Sequence, residues 1–245
     1  MAARSENLAS WLSEAPYTLA MSSGFFGFFA HAGHLLALEE SGRAPSRLSG
    51  SSAGALVAGC YAAGLDARTI IDELLAIKRQ DFWDPRPGIG LLKGGKFAAK
   101  LKELLPVKLI EDCPRPLQIS VFDVARRRTA VLESGCLVTA IRASCAFPLL
   151  FHPVWHQGRP FLDGGIADPP GLCGNDAGRT LYHHLPSTRF WGKWSRKESA
   201  APRRDDLRTL IPRDLPKVGP FRLEHARRAV DSAYDHTKRA LSGGC

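Results

Sequence analysis

Apolar residues recur along the first half of the chain in a fixed order: a short run, a small-residue break, then a longer run. Tyr17-Thr-Leu-Ala-Met21 is the first short run and reads as a buried strand. The break Ser22-Ser-Gly-Phe-Phe-Gly27 leads into a helix over 28–40, closed by Ser41-Gly42. The order then repeats. Pro45-Ser-Arg-Leu48 reads as a strand, Gly50-Ser-Ser-Ala-Gly54 as its break, and 53–63 as a buried helix stopped by Gly64. Asp66 caps a further helix to about Lys78, with Ile70, Ile71, Leu74, Leu75 and Ile77 on one face. Strand and helix alternating in this way predict βα units on a parallel sheet, with both breaks at the same sheet edge.

Residues 81–96 carry Gly, Pro and aromatics and read as a long loop, of the kind that borders sites. A basic helix over 97–105 follows, with a solvated face around Leu101, Leu104 and Leu105. Residues 116–124 form a clear strand, and Arg126-Arg-Arg128 turns the chain into a hairpin partner over 129–133. A helix of small residues spans 137–145 and ends at Phe147-Pro148. Short strands at 153–155 and 159–162 flank Gln157-Gly158. Thereafter the pattern weakens. Thr180-Leu-Tyr-His-His-Leu185 is a possible strand, 190–197 mixes aromatics with cations, and 199–220 reads as irregular. A basic helix over 223–241, with Ala226, Val230, Ala233, Tyr234 and Leu241 on its face, is too weakly apolar to lie in lipid and reads as docked on the domain. The organisation expected is a polar arm over 1–16, helical around Leu8, a catalytic domain over 17–185 and a basic extension over 186–245.

At 245 residues and 44% apolar, the chain is long enough for one substantial core. The net charge of +9 favours anionic partners without choosing among membrane, nucleic acid and acidic substrate. Six cysteines include no C-x-x-C pair and no zinc-like spacing with histidine. No metal or cofactor is expected. The cysteines read as reduced structural thiols in an intracellular, cytoplasmic compartment. No secretory signal opens the sequence, and residues 20–38 read as strand, loop and buried helix rather than as a membrane span.

The chemistry concentrates in the breaks. Gly50-Ser-Ser-Ala-Gly54 is a G-x-S-x-G motif: a serine on a sharp strand-to-helix turn projects its hydroxyl, and flanking glycines avoid crowding the strand and helix. Ser52 is the candidate nucleophile. Read alone, the motif is also a Gly/Ser turn before a core helix. The Ser22–Gly27 break admits three readings: a plain turn, an incomplete dinucleotide fingerprint lacking its first glycine and its distal acid, or a loop of backbone amides for an oxyanion. Asp163-Gly164-Gly165 ends an apolar strand, where a carboxylate can be held beside Ser52; read alone, it is a turn. The order Ser52, Asp163, then His183 or His184 also satisfies a serine triad.

Together, Ser22-Ser-Gly-Phe-Phe-Gly27, Gly50-Ser-Ser-Ala-Gly54 and Asp163-Gly-Gly165 resemble the patatin-like phospholipase family. So do the flanks Gly33-His-Leu-Leu-Ala-Leu-Glu39, Gly90-Leu-Leu-Lys-Gly94 and Ala143-Ser-Cys-Ala-Phe-Pro148. The resemblance covers about 17–170. It implies a three-layer α/β/α fold with a mostly parallel central sheet and a Ser52/Asp163 dyad without histidine. It also implies an oxyanion hole from Ser23, Gly24, Phe25 and Ala53, with Gly27, Gly50, Gly54, Gly164 and Gly165 as motif glycines. Ser22 and Ser23 stand where the family has glycines, and Phe26 where a cation is common, so the loop is less electropositive. The activity implied is hydrolysis of lipid acyl esters, with Phe25, Phe28, Phe29 and the 81–96 loop lining the acyl site. Acyl transfer, or a silent lipid-binding protein of the same fold, is the alternative. The expected partners are a lipid ester and the surface of a membrane or lipid droplet, with peripheral attachment and no nucleic acid.

Overall fold

The structure, a computed structural model, describes residues 7–175, 178–186 and 204–243. The first six residues of the expected arm and the aromatic-cationic stretch 190–197 lie outside the described residues. In chain order the elements are α1 (Leu8–Glu14), β1 (Thr18–Met21), α2 (Phe28–Glu40), β2 (Arg47–Ser51), α3 (Ala53–Ala62), α4 (Ala67–Ala76), the short α5 (Arg79–Phe82) and α6 (Gly95–Leu104). Next come β3 (Leu117–Asp123), β4 (Arg128–Leu132), α7 (Leu137–Ser144), β5 (Val154–His156), β6 (Arg159–Leu162), β7 (Thr180–His183), β8 (Leu207–Leu210) and α8 (Ala226–Leu241).

The strands form one sheet in the order β5-β6-β3-β2-β1-β7-β8, with β4 also paired to β3. From β3 to β8 every neighbour is parallel. The antiparallel strands β4 and β6 pair with β3, and β5 pairs with β6. This is a mostly parallel central sheet flanked by helices, as the sequence implies. All four residues of β1 are buried, which a strand between two parallel neighbours requires. α3 has no polar face because all ten of its residues are buried. Asp66 caps α4 by accepting a hydrogen bond from the Thr69 N–H at 2.7 Å. α8 packs on α2 with Ala226, Ala229, Val230, Ala233, Thr237 and Leu241 buried. The two backbones come so close at Gly33 that a Cβ there would lie 2.1 Å from the Val230 carbonyl oxygen.

Two expectations need correction. The 199–220 stretch is not irregular throughout: Leu207–Leu210 forms β8, parallel to β7. Nor are residues 81–96 one open loop. Their start belongs to α5, and the Arg86 N–H donates to the Leu91 carbonyl to fold the rest into a tight hairpin. The Asp84 carboxylate accepts from the N–H groups of Gly94, Gly95 and Lys96, at 2.9, 2.6 and 3.2 Å. It thereby satisfies free donors of the first turn of α6 and starts that helix two residues before the expected point.

The tightest constraint of the frame is at Gly54, where a Cβ would lie 2.1 Å from the backbone oxygen of Met21. Helix α3 sits almost on strand β1 there. Gly54→Ala forces the two apart, and its expected cost is at least ~3 kcal/mol. Gly219→Ala, with nothing within 4 Å of its Cβ, stays within ~0.5 kcal/mol of wild type. Urea midpoints of the two variants check this, and equal midpoints would contradict it.

Candidate active site

Ser52 occupies the turn between β2 and α3 at φ 52°, ψ −116°, a backbone conformation that L-residues avoid, with a cost of about 1–3 kcal/mol. The turn survives because its surroundings hold it. The Ser52 N–H donates to Ser144 Oγ at 2.8 Å, and Ser144 in turn donates to the Ser120 carbonyl at 2.7 Å. The Cys145 thiol donates to the Ser52 carbonyl oxygen at 3.3 Å. Gly50 is required because a Cβ there would lie 2.6 Å from the Ala55 nitrogen. Ser52 makes no side-chain cap to α3. Its hydroxyl instead donates to Asp163 Oδ2 at 2.8 Å.

Asp163 follows β6 and is 3% exposed. Its Oδ1 accepts from the Gly165 N–H at 2.8 Å, and its own N–H is fixed to the Ala146 carbonyl. Gly164 has no room for a side chain, since a Cβ would lie 2.2 Å from the Ser120 carbonyl oxygen. Beyond the turn, Asp168 accepts from Ser120 Oγ at 2.5 Å and from the N–H groups of Leu172 and Cys173. Burial raises the Asp163 carboxyl to about 7, against the opposing pull of its bonds from Ser52 and Gly165. A carboxyl that titrates near neutrality and touches a hydroxyl is suited to proton exchange with it.

The third loop lies beside both. A Cβ on Gly165 would meet the Ser23 side chain at 2.9 Å, and β1 delivers the loop next to β2 with Met21 opposite Gly50. Within it, the Ser22 N–H donates to the His183 carbonyl and the Ser23 N–H to the Pro169 carbonyl, at 3.2 and 2.7 Å. The Ser23 amide is therefore occupied, which corrects its expected place among oxyanion donors. Gly24 and Phe25 N–H groups have no partner among the described residues, and neither does that of Ala53 at the open first turn of α3. Gly27 closes the turn by donating to the Gly24 carbonyl at 2.8 Å, and both glycines pack under Leu185.

Aromatic rings continue from this loop. Phe25 is half exposed and neighbours Phe26 and Phe147, with ring centroids 5.0 and 6.0 Å away. Phe26 neighbours Phe28 and Phe82 at 5.3 and 6.0 Å. Phe29, expected in this lining, is 1% exposed and belongs to the core beneath. From the 81–96 stretch Phe82 joins the row.

Neither candidate histidine reaches the serine. The His183 Nδ1 is 2.8 Å from His31 Nδ1, and His184 Nδ1 is 2.8 Å from the Tyr182 hydroxyl; among the described residues no hydrogen bond links either to Ser52 or Asp163. A buried group of imidazoles instead backs the first loop. His31 Nε2 donates to the Ser22 carbonyl at 2.8 Å, so its Nδ1 accepts from His183. His34 stacks on His183 with centroids 4.0 Å apart and donates from Nδ1 to Thr237 of α8. The Nε2 atoms of His34 and His183 are bare acceptors without a partner among the described residues.

The sequence model of the patatin-like phospholipase matches residues 19–172, more than half the chain and all three loops. The chain belongs to this family. Its patatin-like segment is 33% identical over 163 residues to an uncharacterized NTE family protein of Mycobacterium tuberculosis, covering 62% of this chain and 43% of that protein. It is 27% identical over 157 residues to the lysophospholipase nte1 of Emericella nidulans, covering 61% of this chain and 10% of that protein. The chain thus covers less than half the length of these curated relatives. VipD of Legionella pneumophila has the same fold, with a TM-score of 0.57 at 17% identity over 93% of this chain and 67% of VipD. Among the described residues, no helix of this patatin-like protein is long and apolar enough to cross a membrane.

Two groups of residues around the site carry little sequence signal. Ser144 and Cys145 support the serine turn from α7, and their hint is the Ala143-Ser-Cys-Ala flank. The histidine group is assembled from α2 and β7, and its hint is a pair of histidines three apart in an apolar helix.

Proposed function

We propose that the protein hydrolyses fatty-acyl esters of lipids, with Ser52 as nucleophile and Asp163 as its base. The observation that carries this reading is the 2.8 Å hydrogen bond from Ser52 Oγ to Asp163 Oδ2 on a strained turn. Asp163 takes the hydroxyl proton as Oγ attacks the ester carbonyl. The negative oxygen of the tetrahedral intermediate is met by the free N–H groups of Gly24, Phe25 and Ala53. Collapse expels the alcohol, which takes the proton from Asp163. Water then gives a proton to Asp163 and attacks the acyl-serine, releasing the fatty acid and restoring Ser52. The aromatic row from Phe25 to Phe82 suits an acyl chain, and the family membership supports a lipid as its source.

A fluorophosphonate probe tests the reading. Labelling is expected on the wild type and absent from folded Ser52→Ala, with fatty-acid release lost in parallel by at least ~1,000-fold. Labelling that persists in Ser52→Ala, or a folded wild type that never labels, would remove the serine from the mechanism. Transfer of the acyl group to an added lysolipid in preference to water would make the protein a transferase with the same first half-reaction.

A further inference from the structure

Two loops form one small, rigid projection next to the aromatic row. The hairpin at 85–92 is bonded to the 147–152 segment: Leu91 N–H to the Leu149 carbonyl at 3.0 Å, Leu92 N–H to Leu150 at 2.7 Å, and His152 N–H to Leu92 at 3.1 Å. The backbones touch so closely that a Cβ on Gly90 would lie 2.3 Å from the Phe151 carbonyl carbon. From this base Ile89 stands 79% exposed, Leu91 48% and Leu149 83%. Leu149 is held at φ 67°, a conformation that disfavours a leucine and aims it at water. The base meets the candidate active site through Phe147 and Phe25.

The charge around the projection is cationic. Arg86 and Lys93 are exposed at the two ends of the hairpin. The neighbouring acid, Asp84, is turned inward onto three backbone N–H groups of α6.

We propose that Ile89, Leu91 and Leu149 insert into an anionic lipid surface, with Arg86 and Lys93 on its headgroups, and so place the Ser52 site at the membrane. The proposal rests on the lipid-ester reading above. Isolated aliphatic side chains standing clear of a rigid base fit a fluid acyl layer, whereas a protein partner would need a matching concavity. The flanking cations match phosphatidylglycerol or phosphatidylserine, each adding to attraction near the surface.

The test is flotation of folded Ser52→Ala protein with vesicles of equal parts phosphatidylcholine and phosphatidylglycerol, so that binding is read without turnover. Binding is expected, and Ile89→Glu/Leu149→Glu in the same background weakens it by about 100-fold or more. Leu149→Gly, which keeps the backbone and relieves its strain, weakens it by about 10-fold. With Ser52 intact, Leu149→Glu, which lies outside the 81–96 stretch, is expected to hydrolyse soluble p-nitrophenyl butyrate at the wild-type rate while losing activity on vesicles. Undiminished vesicle binding by the double variant, or no binding by the parent, would overturn the proposal. So would a dimer of the parent that the same substitutions dissociate, which would assign the patch to a second copy. Vesicle binding without hydrolysis of any ester would defeat the hydrolase reading and leave the surface standing; soluble-ester hydrolysis without vesicle binding would do the reverse.

Discussion

Under the proposed mechanism, Asp163→Asn is expected to lower ester hydrolysis by at least ~1,000-fold and to yield a protein more stable than wild type above pH 7. The amide fills the carboxylate's space but cannot take the Ser52 proton. The stability follows from linkage. The Asp163 carboxyl titrates near 3.8 when unfolded and at about 7 when buried in the native state. Between these values the unfolded chain has lost a proton that the native chain keeps. The contribution of Asp163 to native stability therefore falls as pH rises from about 4 to 7, by about 4 kcal/mol in all, and stays low above. The uncharged amide is free of that penalty. Part of the gain is returned because an amide turns its NH2 toward one of two donors, the Gly165 N–H or the Ser52 hydroxyl, leaving a net of about 2 kcal/mol at pH 8. Urea unfolding at pH 5 and pH 8 checks this: the gap between variant and wild type widens at pH 8. A gap independent of pH would contradict it. If Asp163 is the base, as proposed, wild-type kcat/KM is expected to rise about tenfold per pH unit below pH 7 and level off above.

Acid is expected to destabilise the protein through its buried imidazoles. Burial, reinforced for His34 by its imidazole neighbours, pushes His31 down to about 4 and His34 to about 3, and His183 lies well below its ordinary value for the same reason. In the unfolded chain each titrates near 6.5. As pH falls below 6.5 the unfolded state gains protons that the native state cannot take, so stability is lost from 6.5 down to about 4. At pH 5 His31 and His34 each cost about 2 kcal/mol, about 4 together, and His183 adds to this in the same direction. Protonation of Asp163 returns about 2 kcal/mol between pH 6.5 and 5. The net loss is a large fraction of the 5–15 kcal/mol that a domain ordinarily has. Denaturation midpoints from pH 7.5 to 5 measure it, and His34→Gln, which keeps the bond to Thr237, lessens the slope by about one proton. A profile flat across this range would contradict the prediction.

How much of this is legible in the sequence depends on the range of the force involved. Gly50 and Gly54 are readable because crowding at the serine turn is local: the clashes involve Ala55 and an adjacent strand. The Asp66 cap and the apolar face of α4 are local too, and the ends of α2 and α4 fall within a residue or two of the pattern. The commitment of the Ser23 amide is set by Pro169, which is 146 positions away by chain number, and no pattern around Ser23 encodes it. Strand β8 hides in a stretch rich in Pro, Arg and Asp because its place is set by pairing with β7. His31 and His34 look like ordinary members of an apolar helix until β7 brings His183 against them.

Strand β7 also decides when the protein becomes itself. β1 is flanked by β2, which follows it closely, and by β7, which lies about 160 positions later. The Ser22 amide, the Ser22 hydroxyl and the glycines under Leu185 all wait for that later stretch. At ordinary translation rates the interval is on the order of ten seconds or more. During it the nascent chain holds its serine motif complete but its first strand open on one edge, a template for wrong pairing. The loop that would receive the substrate's negative charge is thus fixed late in synthesis, after residues 19–172, where the family's motifs lie, have already been made.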